Sequence, residues 1–550
     1  MAQLIYADVW EAVARAVPER PALIRGEREI SWGSFDARAD ALAHHLLAAG
    51  LTRQSKVAAY LYNAPEYLET YFAAFKAGLV PFNTNYRYGG EELFYLLENA
   101  DAEAVVFHAS FAPTLDLIRA RLPKLKTLLS VSEPGFPSPD WATDYESAVQ
   151  QPVARVAPPW GRSPDDLLLI YTGGTTGLPK GVMWRQGDLF DAMGGGVNLL
   201  LGLPELRDAA EAGERAHIYD HPSCLLPVPR SIPAAPLMHA TAQLSGFSTL
   251  VGSGCIATLP SNRFSVEELF DEVQRVQATS LVIVGMAFAM PMLEALDAEP
   301  ARWDLSSLKR IFSSGTIWSA ENKHGLLRHM PHVMFFDSLG SSEAIGLAVT
   351  TTAAGSEPPT ARFGIGARAA VFTDEGRRVV PGSGERGLVA TTGFIPTGYY
   401  KDPEKSAKTF RMFEGTRWSL PGDWATVELD GSITLLGRGS LVINTGGEKV
   451  FPEEVEEALK RCAGVRDAAV VGLPDPRFGE RVCAVIDLEA SGETSCAALG
   501  VELRRSLASY KVPRDWVVAK VERQPNGKVD YQHARNKALD VIRKAAVRRA

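Results

Sequence analysis

Cysteine is scarce and scattered in this chain. Five thiols stand among 550 residues, at Cys224, Cys255, Cys462, Cys483 and Cys496, an odd number without a Cys-x-x-Cys pair. That excludes a disulfide framework and a thiolate zinc or redox motif, and predicts reduced, mostly buried thiols. Long apolar runs are missing too. No uncharged stretch reaches the ~20 residues that cross a bilayer. The start, Met1-Ala2-Gln3-Leu4-Ile5-Tyr6-Ala7-Asp8, has neither the basic opening nor the apolar continuation of a secretion signal. A cytoplasmic chain with no integral membrane segment is expected. Basic charge is not in surplus, because the formal net charge of -8 offers no general field for nucleic acid. Only the stretch from Arg535 to Ala550 is locally basic, and it reads as a solvated helix. His-Glu-x-x-His helices, Gly-x-Ser-x-Gly elbows, internal repeats and low-complexity tracts are absent as well.

What remains is globular in balance, with 46% hydrophobic and 22% charged residues, which excludes disorder. The length exceeds one ordinary core and predicts a large body with a smaller domain beside it. Between about residues 20 and 150, short apolar runs (56–61, 104–107) alternate with a helical pattern (67–77), as in α/β architectures with a mainly parallel sheet. The pattern returns at 280–284 and 308–312, with a helix over 266–276, and predicts a second α/β layer. From 350 to 436, glycines, prolines and β-branched runs such as 387–391 and 432–436 predict a β-rich subdomain. A compact set follows: helix 452–462, strands 467–473 and 480–488, helix 501–509. The expected fold class is therefore α/β, with a large N-terminal body of α/β layers plus a β-rich subdomain (1–437) and a small mobile α+β C-terminal domain (438–550). Gly437-Arg438-Gly439-Ser440 separates them, and a hinge is expected near Gly439-Ser440 because glycines absorb large backbone rotations.

The most informative segment is Tyr171-Thr172-Gly173-Gly174-Thr175-Thr176-Gly177-Leu178-Pro179-Lys180-Gly181, which follows the apolar run Leu167-Leu168-Leu169-Ile170. Glycines let backbone N–H groups face an anion, threonine hydroxyls add donors, and Lys180 adds a full charge, so the loop suits phosphate. A Walker loop requires Gly-Lys-Ser/Thr. Here Pro179 precedes the lysine and Gly181 follows it, which disfavours an ordinary P-loop NTPase. The segment resembles the signature of the adenylate-forming enzymes, the superfamily of acyl-CoA synthetases, peptide-synthetase adenylation domains and luciferases.

Five further segments match that superfamily in order, so the resemblance spans about residue 20 to Arg535. It implies roles for each. Ser313-Ser314-Gly315-Thr316 corresponds to the turn on which the adenine lies. Asp337-Ser338-Leu339-Gly340-Ser341-Ser342-Glu343 is similar to the second nucleotide segment, in which a polar residue meets the adenine amine and a terminal glutamate, here Glu343, helps hold magnesium. A carboxylate oxygen suits this hard ion. Leu339 stands where the family has an aromatic, and Ser342 where it has threonine. Asp423, in Trp418-Ser419-Leu420-Pro421-Gly422-Asp423, matches the aspartate that takes both ribose hydroxyls, for which an acceptor-only carboxylate is suited, and Arg438 reaches the same sugar. Lys528, in Pro525-Asn526-Gly527-Lys528, corresponds to the lysine that bridges the substrate carboxylate and the α-phosphate. The ATP site implied is thus Thr172, Gly173, Gly174, Thr175, Thr176, Gly177, Lys180, Ser314, Gly315, residues 337–342, Asp423, Arg438 and Lys528.

The resemblance also implies a second step. In the family a thiol attacks the acyl-adenylate after the C-terminal domain swings, although here Ser440 replaces the aspartate or lysine common at the hinge. Gly446, Gly447 and Lys449 fall in the loop that packs along the pantetheine arm of coenzyme A. His239, after Pro236-Leu237-Met238, opens the segment lining the acyl pocket and thiol tunnel, and is expected as gate or wall. Gly246, Gly285 and Met286 offer room or pliability for a hydrophobic acyl group. Read this way, Lys528, Lys180, Glu343 and His239 carry the chemistry, ATP, Mg2+ and coenzyme A are the cofactors, and a carboxylic acid is the substrate; a homodimer stays open. The closest resemblance is to actinobacterial-type ligases for fatty acids and steroid side chains. An acyl-AMP ligase loading a carrier protein, a luciferase-like oxygenase, and a non-catalytic acyl or nucleotide binder are the rivals, and a binder has no need to keep Lys180, Glu343, Asp423, Arg438 and Lys528 together. Gly364-Ile365-Gly366-Ala367-Arg368-Ala369 imitates a dinucleotide fingerprint but precedes a strand-like run, and is rejected.

Overall fold

A computed structural model describes residues 3–173, 178–198, 201–315, 318, 320–356, 362–438, 443–450, 452–488, 494–522 and 529–547. Three sheets organise them. The first is eight-stranded. At its centre, Lys56–Tyr60, Val80–Asn83, Ala102–His108, Thr127–Val131 and Leu167–Gly173 run parallel. Their near-continuous apolar character is what a sheet covered on both faces requires. One edge turns antiparallel, where Pro179–Arg185 folds back on Leu167–Gly173 and Gly398–Tyr399 pairs outside it.

The second sheet is fifteen-stranded and changes character along its length. Cys255–Thr258, Arg230–Pro233, Ser280–Ile283, Arg310–Ser314 and Met334–Ser341 are parallel neighbours. From Met334–Ser341 onward, pairing with Ala344–Thr352 turns antiparallel and leads into the strands of 362–438. This is the expected β-rich part. The rejected dinucleotide motif falls on strands Arg362–Ile365 and Ala369–Phe372, with no helix N-terminus to hold a pyrophosphate.

Helices Tyr6–Ala16, Trp32–Ala48, Pro65–Ala77 and Ala240–Val251 supply much of the main core, where Tyr6, Trp10, Phe35, Phe72, Phe75 and Phe247 pack ring against ring. Pro65–Ala77 is buried along its whole length, its charged residues Glu66, Glu69 and Lys76 included. Its one ammonium, Lys76, is fully buried and balanced by Asp36 at 2.6 Å, Asp40 at 2.9 Å and Glu11 at 3.3 Å; such a buried charge is tolerable only when paired.

The third sheet, of five strands, comprises Glu448–Val450, Ile443–Thr445, Gly479–Leu488, Val465–Asp475 and Asp515–Val518. Helices Pro452–Lys460, Cys496–Ser506 and Tyr531–Val547 cover it. The helix expected over 501–509 starts five residues earlier and ends at Ser506, because Ser495 caps it by accepting from the Ala498 N–H at 3.2 Å. All five cysteines are free; Cys255 and Cys483 are buried, whereas Cys224, Cys462 and Cys496 are only partly so. Among the described residues no helix is long and apolar enough to cross a membrane.

Candidate active site

A cavity of about 420 Å³ opens where parallel strands of the first two sheets end. Asn83, Thr172, Val284 and Ser314, at or next to the carboxyl ends of their strands, contribute to its wall together with Tyr171 and Ser338. Ligands bind at such strand ends because loops diverge there and leave a crevice. Asn83 fixes two of its edges. Its amide donates to the carbonyls of Tyr171 at 2.9 Å and Met238 at 2.7 Å, and its oxygen accepts the Tyr171 N–H at 2.7 Å.

Lys180 stands on the returning strand Pro179–Arg185 rather than at the end of a loop, opposite Thr172 in the antiparallel register. Its ammonium pairs with Asp402 at 2.7 Å and lies 5.9 Å over the Tyr399 ring. The Tyr399 hydroxyl donates to Glu343 Oε1 at 2.8 Å, and Ser419 Oγ donates to the Glu343 carbonyl at 2.6 Å. Lys180 and Glu343 therefore belong to one polar cluster beside the cavity. Lys405 joins it electrostatically: burial, and then the charge of Lys180, hold its ammonium below the ordinary lysine range. Gly174, Thr175, Thr176 and Gly177 lie outside the described residues.

Ser314, Gly315, Ser338, Gly340, Ser341 and Ser342 all face the cavity, and Ser314 Oγ donates to the Ser338 carbonyl at 2.8 Å. Two expected nucleotide contacts are set back. Asp337 forms an ion pair with the buried Lys323; burial pushes its carboxyl up and Lys323 opposes that shift. Leu339 turns to the other face of its strand and packs with the core of the β-rich region, as the two-residue side-chain period of a strand dictates. Aromatic rings reach the cavity from other elements instead, Phe312 together with Tyr88, Tyr171 and Tyr510. Asp423 is buried and pairs directly with Arg438 across antiparallel strands, which brings the two expected ribose contacts together in the backbone. The side chains of Arg438, Lys449 and Met286 lie outside the described residues, as do Lys528 and the hinge Gly439-Ser440.

The opposite wall comes from the third sheet. Strands Ile443–Thr445 and Glu448–Val450 form a hairpin whose turn is Gly446 (φ +61°) and Gly447 (φ +85°). A Cβ on Gly447 would stand 2.7 Å from Val284 Cγ1, and one on Gly446 2.9 Å from Phe478 Cδ1, so conformation and space both require glycine. Gly447 and Glu448 line the cavity, and Gly446 sits behind them against Phe478. The Glu448 carboxylate takes Arg87 Nη1 at 2.7 Å and His239 Nε2 at 3.2 Å. Burial alone would raise its pKa; His239, Arg87 and Lys511 outweigh that and hold it below the ordinary glutamate value. His239 lines the cavity.

Helix Ala240–Val251 presents Ala240, Thr241, Leu244 and Ser245 to the cavity, opposite Met193, Gly194, Ile345 and Gly346. Gly246 is not among the lining residues: it faces Leu237 and Ile256, one helical step round from Ser245. Gly285 is set behind Val284, where its N–H donates to Ser313 Oγ at 3.0 Å and its positive φ opens the helix Met286–Ala298. Arg87, Tyr510 and Lys511 went unread in the sequence. Each is an ordinary surface type, and only contacts between distant segments give it a place.

The AMP-binding enzyme family model matches residues 10–400, and the AMP-binding enzyme C-terminal domain model matches residues 454–528. A Rhodococcus rhodochrous protein named 3-oxocholest-4-en-26-oate--CoA ligase is 39% identical over 548 residues, covering 96% of this chain and 95% of its own. A Mycolicibacterium smegmatis protein named medium/long-chain-fatty-acid--CoA/3-oxocholest-4-en-26-oate--CoA ligase is 37% identical over 540 residues, covering 96% of each. Among solved structures, the amide bond synthetase McbA from Marinactinospora thermotolerans superposes with a TM-score of 0.77 at 23% identity, over 97% of this chain and 99% of that one.

Proposed function

The chain belongs to the AMP-binding enzyme family, and from that premise we propose that it is an AMP-forming acyl-CoA synthetase. Its substrate on this reading is a hydrophobic carboxylic acid, a medium- or long-chain fatty acid or a steroid side-chain acid. One observation carries the proposal. A single cavity is bounded on one side by the hydroxyl and backbone groups of Thr172, Ser314, Ser338 and Gly340–Ser342, on another by Ala240, Thr241, Leu244 and Ser245, and on a third by the glycine hairpin of the C-terminal unit. These surfaces suit a nucleotide, an acyl group and a thiol-bearing arm respectively. The names of the full-length relatives support the acyl class.

In the first step the substrate carboxylate attacks the α-phosphate of ATP, forms the acyl–phosphate bond and expels pyrophosphate. Like charges approach, so fixed cations lower the barrier. Lys180, held by Asp402 next to the phosphate-loop strand, supplies one; Lys528 is proposed as the other, at the reacting oxygens. For magnesium, Glu343 offers a single carboxylate oriented by Tyr399, with the Ser341 and Ser342 hydroxyls nearby, and one carboxylate fits an ion that takes its other ligands from phosphate and water. Bound there, the ion would neutralise phosphate charge. In the second step the thiol of coenzyme A gives its proton to water and attacks the acyl carbon; the C–S bond forms, the acyl C–O bond to the phosphate breaks, and AMP leaves. The Gly446-Gly447 turn gives a thin wall past which a pantetheine arm can run, and His239, held by Glu448, lines the same cavity. A cytoplasmic setting, where ATP and coenzyme A are supplied, is part of the proposal.

The test is pyrophosphate release from ATP with acids from acetate to C18, aromatic acids and steroid acids, with and without coenzyme A, products identified by mass. Acyl-CoA from a hydrophobic class is the expected outcome. Acyl-AMP without thioester would transfer the chain to the carrier-protein ligases, and no turnover with any acid would sink the enzyme reading.

A further inference from the structure

Two ion pairs of opposite polarity join the C-terminal unit to the N-terminal body around the cavity. In one, Glu448 brings a negative charge to Arg87. In the other, Lys511 brings a positive charge to Glu92, Nζ to Oε1 at 2.7 Å, across 419 residues of sequence. Lys511 follows helix Cys496–Ser506, and Glu92 lies in the first turn of helix Gly90–Asn99. The lysine is 3% exposed. Its ammonium lies 5.2 Å over the Tyr88 ring and 5.8 Å over Tyr510, whose hydroxyl accepts from Asn85 Nδ2 at 3.4 Å.

We infer that Lys511 and Glu92 form a latch that holds the C-terminal unit in the docked arrangement seen here, with the 443–450 hairpin lining the cavity, and thereby sets the rate of thioester formation. Lys511 is on this view a positioning residue. The inference rests on the two-step reading above. Its physical basis is that the pair is closed and nearly dry only when the two units are docked this way. Separated, each group regains water and loses its partner, so the attraction counts for one arrangement and not the other. An interaction with such a difference shifts a two-state equilibrium, whereas one equal in both states shifts nothing. Nor does the local fold of helix Gly90–Asn99 need the pair, since Glu92 caps that helix through its other oxygen, which accepts the Gly89 N–H at 3.1 Å.

The test separates the half-reactions in the full-length chain: pyrophosphate release with acid and ATP for the first, and acyl-CoA formation from supplied acyl-adenylate and coenzyme A for the second. Glu92→Gln removes the charge and keeps a capping oxygen. It is expected to slow the second half-reaction roughly 3- to 10-fold, and Glu92→Lys by more than about tenfold, with the first half-reaction within about twofold of wild type. Exchanging the charges, Glu92→Lys with Lys511→Glu, is expected to recover most of the loss. If the exchanged protein does not fold, the same question is put by Lys511→Arg, expected within about threefold of wild type in the second step, against Lys511→Met, expected to match Glu92→Gln. Parallel losses in both half-reactions, or equal losses for the arginine and methionine variants, would overturn the latch. A wild-type chain that forms acyl-adenylate but no thioester would overturn the two-step reading itself, and the latch with it.

Discussion

Replacing Lys180 with methionine keeps most of the side chain's apolar length and deletes one charge from the cluster of Asp402, Tyr399 and Glu343. If that charge neutralises the polyphosphate, the KM for ATP is expected to rise at least about tenfold, with little change in the KM for the acid. Steady-state kinetics varying each substrate in turn check this, and an equal rise in both KM values would count against a phosphate role. The lysine itself was legible, because glycines and threonines before a cation after an apolar strand have few other uses. Its partner was not. Asp402 is 222 residues away, and nothing local marks an aspartate that caps its own short helix as the counter-ion of a distant strand. Leu339 shows the converse: the motif gave its number, but the strand's period decides which side chain turns into the cavity, and Phe312, which no motif singled out, does so.

The stretch from Gly398 to Asp402 is an edge held against strand Pro179–Arg185. Part of what fastens it is Asp101, which accepts from the Tyr400 hydroxyl at 2.7 Å and pairs with Lys401 at 2.8 Å and Lys124 at 2.6 Å. Burial alone would raise the Asp101 carboxyl, but Lys124, Lys401 and Tyr400 together bring it down to about 2. A carboxyl depressed by folding stabilises the fold above its unfolded value, and that contribution is lost as pH falls through the folded one. Asp101→Asn is therefore expected to lower the melting temperature by about 1–3 °C near neutrality, with the gap from wild type closing between about pH 4 and pH 2. Thermal melts across that range check it; a gap independent of pH would mean that shape, not charge, is what matters. Asparagine suits the comparison because Asp101 has φ +54°, a conformation asparagine tolerates. At this scale most strands and helices were legible from periodicity. The hairpin return at Pro179 was not, because a glycine-rich loop does not state how the chain leaves it, and the early start of Cys496–Ser506 was missed because its serine cap stands among other polar residues.

The α/β order, the β-rich stretch and the small C-terminal unit could be read in the sequence because each leaves a repeating hydrophobic pattern. How the C-terminal unit meets the body could not, since it depends on a handful of charged contacts such as Arg87 with Glu448 and Lys511 with Glu92. That docking bears on the largest expectation for the molecule. On the proposed mechanism Lys528 serves the first step and the Gly446-Gly447 turn, which borders the cavity here, serves the second, so the C-terminal unit would take up a different arrangement for each. Lys528→Ala should then remove a charge needed only when carboxylate meets phosphate. Adenylation is expected to fall by roughly three orders of magnitude, the scale of losing a key electrostatic group, while thioester formation from supplied acyl-adenylate stays within about threefold of wild type. Comparable loss in both half-reactions would mean that Lys528 supports the fold or both steps alike, and the proposal that the C-terminal unit divides its work between two arrangements would fall with it.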